Sequence, residues 1–389
     1  MSLTMKNKAK SKVILIVDDI QDNIDIILHC LAIEKENYKV LQATNGLDAI
    51  KLVEEYQPDI MLLDYMMPGM TGIDVLRELK QKRNLGFFLP VILVTSKTDV
   101  QSKKEALLVG AEDFITKPFQ REELIARIKA ALRTKSLYDE LQSAYKKLDN
   151  ERDIIAGIQK SLIPPENPRL NKVKFCSRYV PSSKAGGDYY DFAYIDENHL
   201  GIVVADVSGH GIPSAVIMAM VKIVFQTCVK NIFSPSKALE LFNNVLSENI
   251  HSGEFITMFY GILDLNNMSF TYASAGHTPA FYFDPLKNDV WDLETSFGYP
   301  LCINLENTFD EKTIAPASGS RLLLFTDGIF DAINKENEFF GLKRLKESFK
   351  NLCGKNAEEI VINLEKVVGD FTGGVEFRDD YTLLCLEIV

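Results

Sequence analysis

The chain is 389 residues long, which predicts two or three domains. Hydrophobic residues make up 46% and charged residues 25%, which excludes a disordered tail protein, a collagen-like fibre and a membrane bundle. Lys and Arg total 43 against 54 Asp and Glu, a formal charge of −11, so nonspecific nucleic-acid binding is not expected. The opening MSLTMKNKAK has no apolar core, so no signal peptide is expected, and Met5 is a candidate native start. Short apolar runs then recur at 13–17 (VILIV), 38–43 (YKVLQA), 59–64 (DIMLLD), 89–95 (LPVILVT) and 113–116 (DFIT). Helical stretches follow them at 22–33, 46–56, 72–82, 100–109 and 120–132. Strands alternating with helices predict an α/β fold, a doubly wound parallel sheet with its ligand site at the carboxyl ends of the strands.

Those ends carry chemistry. The first strand runs into Asp18 and Asp19, the third ends in Asp64, the fourth in Thr95 and Ser96, and the fifth reaches Lys117 and Pro118. Converging carboxylates repel unless a cation sits among them, and hard oxygen ligands suit Mg²⁺. Lys117 adds a fixed charge and Thr95 a hydroxyl, so one carboxylate could carry a phosphoryl group with its oxygens neutralised. The set VDD at 17–19, DYMMPGMTG at 64–72, VTS at 94–96 and DFITKPF at 113–119 resembles the receiver domain of two-component response regulators. The resemblance implies that Asp64 accepts a phosphoryl group from a sensor histidine kinase. It implies Mg²⁺ at Asp18, Asp19, Asp64 and Met66, phosphoryl contacts from Thr95 and Lys117, and Phe114 as the switch aromatic. It also implies a cis Lys117–Pro118 bond.

Residues 134–165 change character. Leu141, Leu148, Ile155 and Leu162 recur every seven residues, with Leu137, Ala144, Glu151 and Ile158 as the companion seam. A heptad seam with charged flanks predicts a two-stranded coiled coil, hence a homodimer, ended by Pro164 and Pro165. The other reading is a single helix packing its stripe on a domain. IQKSLIPP at 158–165 resembles the helix leading into a phosphatase domain, which implies a switch element between sensor and catalytic site.

Beyond residue 166, strands are expected at 174–179, 189–195, 200–206, 258–264, 269–274, 280–283, 321–326 and 382–388. Helices are expected at 212–229, 236–249 and 356–368. The stretch 212–229 contains Pro213, Lys222 and Gln226, so it reads as a buried helix and not a membrane span. Acids beside small residues mark strand ends: Asp188 in GGDYYD, Asp206 in ADVSGHG, Asp327 in FTDGIFD, and Asp379 and Asp380 in RDDYTLL. Glycine lets backbone approach a ligand closely. Separated carboxylates can hold two hard cations about 3.5–4 Å apart, which activate water for in-line attack on phosphorus. No His or Cys cluster competes, so Mn²⁺ or Mg²⁺ is favoured over zinc.

These segments, with AGHTP at 275–279 and FG at 340–341, resemble the metal-dependent serine/threonine phosphatases of type 2C. The nearest likeness is to the bacterial subgroup that acts on anti-anti-sigma factors in partner switching. The resemblance implies an α-β-β-α sandwich of α+β class. It implies metal ligands at Asp188, Asp206, the Val207 carbonyl, Asp327 and Asp379, with Asp380 a lesser candidate. The chain departs from the family's eukaryotic branch at Ser208, where a histidine is sometimes assigned as general acid. His210 is expected to shape its loop, His277 to be structural, and Asp191 and Asp331 to be supporting or capping groups. GGDYYD lacks the acidic-aromatic pair of the GGDEF cyclase motif, so a cyclase is not expected.

The domains expected are therefore a receiver at 11–133, a helical linker at 134–165 and a phosphatase domain at 166–389. Phosphorylation of Asp64 would control hydrolysis of phosphoserine or phosphothreonine on a partner protein, with an anti-anti-sigma factor as the expected substrate. The competing reading is an adaptor that binds a partner through a catalytically weak phosphatase-like domain. The six cysteines form no CxxC, which fits reduced thiols in a cytoplasmic protein with no membrane partner.

Overall fold

A computed structural model describes residues 11–34, 36–81, 86–96, 100–182, 185–209, 211–295 and 298–389. Met5 and His210 lie outside the described residues. The chain divides into two compact units, Met1–Leu148 and Asp149–Val389, with the division inside the expected connector.

In the first unit, strands β1 (Lys12–Val17), β2 (Tyr38–Ala43), β3 (Ile60–Asp64), β4 (Val91–Thr95) and β5 (Asp113–Thr116) alternate with helices α1 (Gln21–Ala32), α2 (Gly46–Tyr56), α3 (Gly72–Gln81) and α4 (Val100–Val109). The sheet order is β2-β1-β3-β4-β5, and every pairing is parallel. A parallel sheet covered on both faces needs apolar side chains on both. β3 and β4 are accordingly buried along their whole length. The pleat sends Leu15, Leu63 and Leu93 to one core and Ile14, Ile16, Leu62 and Ile92 to the other.

Helix α5 (Arg121–Leu162) runs through the expected connector. On the first unit its later turns are held by Tyr138, whose ring centroid is 5.0 Å from that of Phe88. Lys135 is buried, bonds Asp139 at 2.7 Å and lies 5.6 Å from the Phe87 ring centroid. The heptad seam is only partly covered: Leu141 and Leu148 are 54% and 56% exposed and Ile158 57%, whereas Ile155 and Leu162 are half-buried.

The second unit is the expected α-β-β-α sandwich. Its strands are β6 (Val173–Val180), β7 (Tyr189–Tyr194), β8 (His199–Val207), β9 (Ile256–Asp264), β10 (Phe270–Ala275), β11 (Ala280–Asp284), β12 (Asp289–Leu293), β13 (Glu311–Ile314), β14 (Arg321–Phe325) and β15 (Tyr381–Ile388). They form two five-stranded antiparallel sheets, ordered β13-β10-β9-β8-β7 and β12-β11-β14-β15-β6. Tyr190, Ile202, Val204 and Phe259 from the first sheet meet Leu322, Leu324, Leu384 and Leu386 from the second. Helices α6 (Ile212–Cys228) and α7 (Pro235–Ser247) cover the first sheet through Met218, Phe225 and Phe242. Helices α8 (Leu342–Leu352) and α9 (Ala357–Thr372) cover the second through Leu345, Phe349 and Leu364. Burying each such side chain contributes about 1.5–3 kcal/mol.

Strands β12 and β13 and helix α8 were not foreseen from the sequence. β12 and β13 are edge strands with mostly exposed residues, so neither shows an apolar alternation. β6 and β7 are successive in the chain but lie at the edges of different sheets, so the chain changes sheets between Val180 and Tyr189. Among the described residues, no helix is long and apolar enough to cross a membrane.

Candidate active site

The first unit gathers Asp18, Asp64, Thr95 and Lys117 at one rim, because β1, β3, β4 and β5 all end there. Asp18, Asp64 and Thr95 are buried, and Asp19 is half-buried. Lys117 Nζ donates to Asp18 Oδ2 at 2.6 Å and Asp64 Oδ1 at 2.5 Å. Burial pushes the Asp64 carboxyl up, against the opposing pull of Lys117. Burial pulls Lys117 down, but its bonds to both aspartates outweigh that and raise it. The Lys117–Pro118 bond is cis, and Lys117 N–H donates to Thr95 O at 2.7 Å. Met66 N–H donates to Asp64 Oδ2 at 2.7 Å, which places the Met66 backbone beside the acceptor carboxylate. Phe114 is half-buried with the Arg127 guanidinium 6.0 Å from its ring centroid.

In the second unit, Asp188 enters β7 fully buried. Thr326 Oγ1 and Thr382 Oγ1 donate to its Oδ2 at 2.6 and 2.7 Å, which orients the carboxylate. Burial first, then the Asp206 charge, pushes Asp188 far above the ordinary carboxylate range. Asp206 near the end of β8 is pushed up to about 7 by burial, then by Asp327, Asp379 and Asp380. Asp327 follows β14 and is pushed up to about 6 by burial, then by Asp379 and Asp331. Asp379 is exposed just before β15, and its Oδ1 accepts the Asp380 N–H at 2.8 Å. The four acidic motifs therefore share one neighbourhood, although each comes from a different strand end.

Asp380 does different work. Its Oδ1 accepts from Ser182 N–H at 2.7 Å and Ser182 Oγ at 3.0 Å, and its Oδ2 from Gly187 N–H at 2.7 Å. It is buried and holds the loop that carries Asp188. Asp191 faces away from that neighbourhood. It is buried on the α6 side of β7, where Tyr189 Oη donates to it at 2.5 Å, Lys222 Nζ at 3.0 Å and Gln226 Nε2 at 2.8 Å. Asp331 is exposed, and its N–H donates to Asp327 O at 2.9 Å. Ser208 Oγ accepts the Phe255 N–H at 2.9 Å, a loop-fixing role at the position where the eukaryotic branch has histidine.

His277 is buried between the sheets. Thr257 Oγ1 donates to its Nδ1 at 2.8 Å, and its Nε2–H donates to Phe325 O at 3.1 Å, the tautomer these partners require. Thr257 lies opposite Asp206 in the β8–β9 register, and Phe325 precedes Asp327 by two residues. The imidazole thus ties together the backbones that carry two of the acids. The orienting threonines Thr326 and Thr382, and Ser182, were missed from sequence. Two of them stand inside motifs already singled out, FTDGIFD and RDDYTLL.

Comparison with known proteins bears on both units. Residues 14–129 match the response regulator receiver domain family, and residues 196–389 match the stage II sporulation protein E (SpoIIE) family. The phosphoserine phosphatase RsbU of Bacillus subtilis (strain 168) is 31% identical over 249 residues, 63% of this chain and 72% of that protein. The chain belongs to this phosphatase family and carries a response regulator receiver domain. The solved structure of the SiaA-PP2C domain of Pseudomonas aeruginosa shares the fold, with a TM-score of 0.56, 18% identity, and coverage of 64% of this chain and 100% of that one. A crystal structure of the RsbU and RsbW domains of Rv1364c from Mycobacterium tuberculosis is 21% identical, has a TM-score of 0.49, and covers 57% of this chain and 61% of that chain.

Phosphatases of this family are metal-dependent. Among the described residues, no three His, Cys, Asp or Glu side chains close on one point as a ready-made metal cluster. The donor set nevertheless fits a pair of hard cations. Its side-chain donors are all oxygen, and the repulsion felt by Asp206 and Asp327 is what divalent charge relieves. At Gly187 an added Cβ would come 2.5 Å from Val207 O, so only glycine lets that carbonyl lie against the Asp188 loop.

Proposed function

We propose that the chain is a response regulator phosphatase. A sensor histidine kinase phosphorylates Asp64, and this controls hydrolysis of phosphoserine or phosphothreonine on a protein partner, with an anti-anti-sigma factor as the favoured substrate. The receiver spans 11–133, the helical linker 134–165 and the phosphatase domain 166–389. Mg²⁺ binds at Asp18, Asp19, Asp64 and the Met66 backbone. Two Mn²⁺ or Mg²⁺ bind at Asp188, Asp206, the Val207 carbonyl, Asp327 and Asp379. Asp380 serves by holding Ser182 and the Gly187 backbone. The protein acts in the cytoplasm as a homodimer joined along α5.

The observation that carries this reading is the gathering of acids from four strand ends, with Asp188 buried among them and oriented by a pair of threonine hydroxyls. When bound, the cations supply charge neutralisation for a phosphoryl group and a water acidic enough to attack near neutral pH. The chain supplies the orientation. Thr326 and Thr382 fix Asp188, Asp380 fixes the Gly187 backbone, and His277 holds the strand ends that carry Asp206 and Asp327.

Asp327→Asn removes one ligand charge and should reduce Mn²⁺-dependent phosphate release from an aryl phosphate at least about 100-fold. Retained turnover in that variant would reject the site. Uptake of phosphate from a small acyl phosphate by the full chain, and its loss in Asp64→Asn, tests the receiver half of the reading.

A further inference from the structure

The strand order puts more than the acids at one end of the sandwich. Asp206 stands near the end of β8, and Thr257 at the start of β9 lies opposite it. β10 runs back along β9 and ends at Ala275, opposite Met258. β11 leaves from Ala280, with Leu293 at the end of β12 opposite it. β14 runs against β11 and ends at Phe325, two residues before Asp327. The turn at 276–279 and the segment that leaves β12 therefore share the end that carries Asp206 and Asp327.

Two cavities open there. The first, of about 280 Å³, is bounded by Ser274, His277, Pro279, Glu294 and Thr295. The second, of about 310 Å³, runs from Pro279 and Glu294 over Phe281 to Leu342, Lys343 and Lys346 on α8. Pro279 and Glu294 border both, so the two join into one trough from His277 to the first turns of α8. His277 is bonded to Thr257 and to Phe325 O, so the trough begins against the backbones that bear the acids. From β8 to β10 is two strand spacings, about 10 Å, which an extended peptide covers in about three residues.

The trough changes character along its length. Its floor is apolar, made by Pro279, Phe281 and the exposed Leu342. Glu294 stands at its waist. At the far end α8 carries Lys343, Arg344, Lys346 and Lys350 against one acid, Glu347, in a chain whose net charge is −11. Lys346 is already paired with Asp292 at 2.8 Å, and Arg344 donates to Phe339 O at 2.8 Å. Lys343 is exposed, and among the described residues no acid pairs with it. An apolar floor that ends at an unpaired cation suits a peptide with a large apolar side chain and an acidic one beyond it. Glu294 repels an acid placed any nearer the metal site.

We propose that this trough docks the segment of the phosphoprotein substrate that starts about three residues from its phosphorylated residue. It selects an apolar side chain for the floor and, beyond that, an acidic one for Lys343. This deepens the phosphatase reading above and rests on it. Lys343 touches neither the metals nor the reacting phosphoryl group, so it sets which substrate binds and leaves the chemistry alone.

The test uses the full chain with Mn²⁺ and synthetic phosphoserine peptides. One set carries a leucine about four residues from the phosphoserine, on either side, with a glutamate beyond it; the matched set has lysine for that glutamate. On one of the two sides, kcat/KM for the glutamate peptide should exceed that for its lysine match by about threefold to tenfold, and the gap should shrink at about 0.5 M salt. Lys343→Glu, an exchange at an exposed position, should invert that order mainly through KM, while aryl phosphate turnover stays within about twofold. Equal turnover of the two sets by the unaltered chain overturns the inference, as does an order that Lys343→Glu leaves unchanged. A loss of aryl phosphate turnover equal to that of the peptides also overturns it, because the trough would then be a site for small anions. If the unaltered chain releases phosphate from neither the peptides nor the aryl phosphate, the phosphatase reading is what fails.

Discussion

Acidification should weaken the C-terminal domain through His277, and the size of the effect follows from its surroundings. Burial pushes the folded imidazole down to about 4, against an ordinary value of 6.5, with the bond to Phe325 O opposing. Above pH 6.5 both folded and unfolded forms are neutral, so the residue adds no pH dependence. Between 6.5 and 4 only the unfolded chain takes the proton, so stability falls with pH. At about pH 5 the loss is about 2 kcal/mol. The buried acids work in the opposite direction when no metal is bound. Asp188, Asp206 and Asp327 have raised folded values, so the folded state gains protons first as pH falls. A single pH curve therefore mixes both signs, and a variant is needed to separate them. His277→Gln should destabilise by about 1–3 kcal/mol near pH 7.5, since Thr257 or Phe325 O loses its partner. By about pH 5 that gap should narrow by about 2 kcal/mol, because the variant has nothing to protonate. Urea unfolding of the metal-free chain, followed by the fluorescence of Trp291 in β12, reads this domain selectively, since the chain has a single tryptophan. A gap that stays constant from about pH 7.5 to 5 would refute the argument.

Two other changes test the site and the connector. Gly187→Ala should lower Mn²⁺-dependent turnover about 100-fold, because its Cβ must displace the Val207 carbonyl and misplacement on the ångström scale carries that cost. Turnover within about threefold of the unaltered chain would show that the carbonyl can move freely. Leu141→Glu combined with Leu148→Glu places two charges on the open heptad seam and should yield monomers in sedimentation, with the C-terminal melt unchanged. A dimer that survives both changes would place the contact elsewhere.

The receiver was legible almost to the residue, because parallel strands buried on both faces leave uninterrupted apolar runs and its chemistry stands at their ends. The four acidic motifs were legible for a related reason: each stands at a strand end beside glycine or another small residue. Less of the sandwich could be read. β13 (EKTI) is a polar edge strand with no alternation to detect. α8 did carry a signal, with Leu345 and Phe349 one helical turn apart, and that spacing was overlooked. Gln159, whose amide bonds both polar groups of the Gly186 backbone, lies inside IQKSLIPP, but that motif marked the helix and not the amide's partner. An amide on a helix does not name its partner until the fold brings a distant backbone to it, and the same holds for Ser182 against Asp380.

The change of sheets between β6 and β7 has a mechanical consequence. The strands on either side are each bonded to only one neighbour, β6 to β15 and β7 to β8. Among the described residues of this crossing, none belongs to the hydrophobic clusters that fill the sandwich. Among the described residues, hydrogen bonds from Gln159 to Gly186 and from Ser182 and Gly187 to Asp380 pin this crossing. The domain thus hangs its proposed metal ligand, Asp188, on the hem of the sandwich, stitched by polar bonds rather than by the apolar fabric behind it.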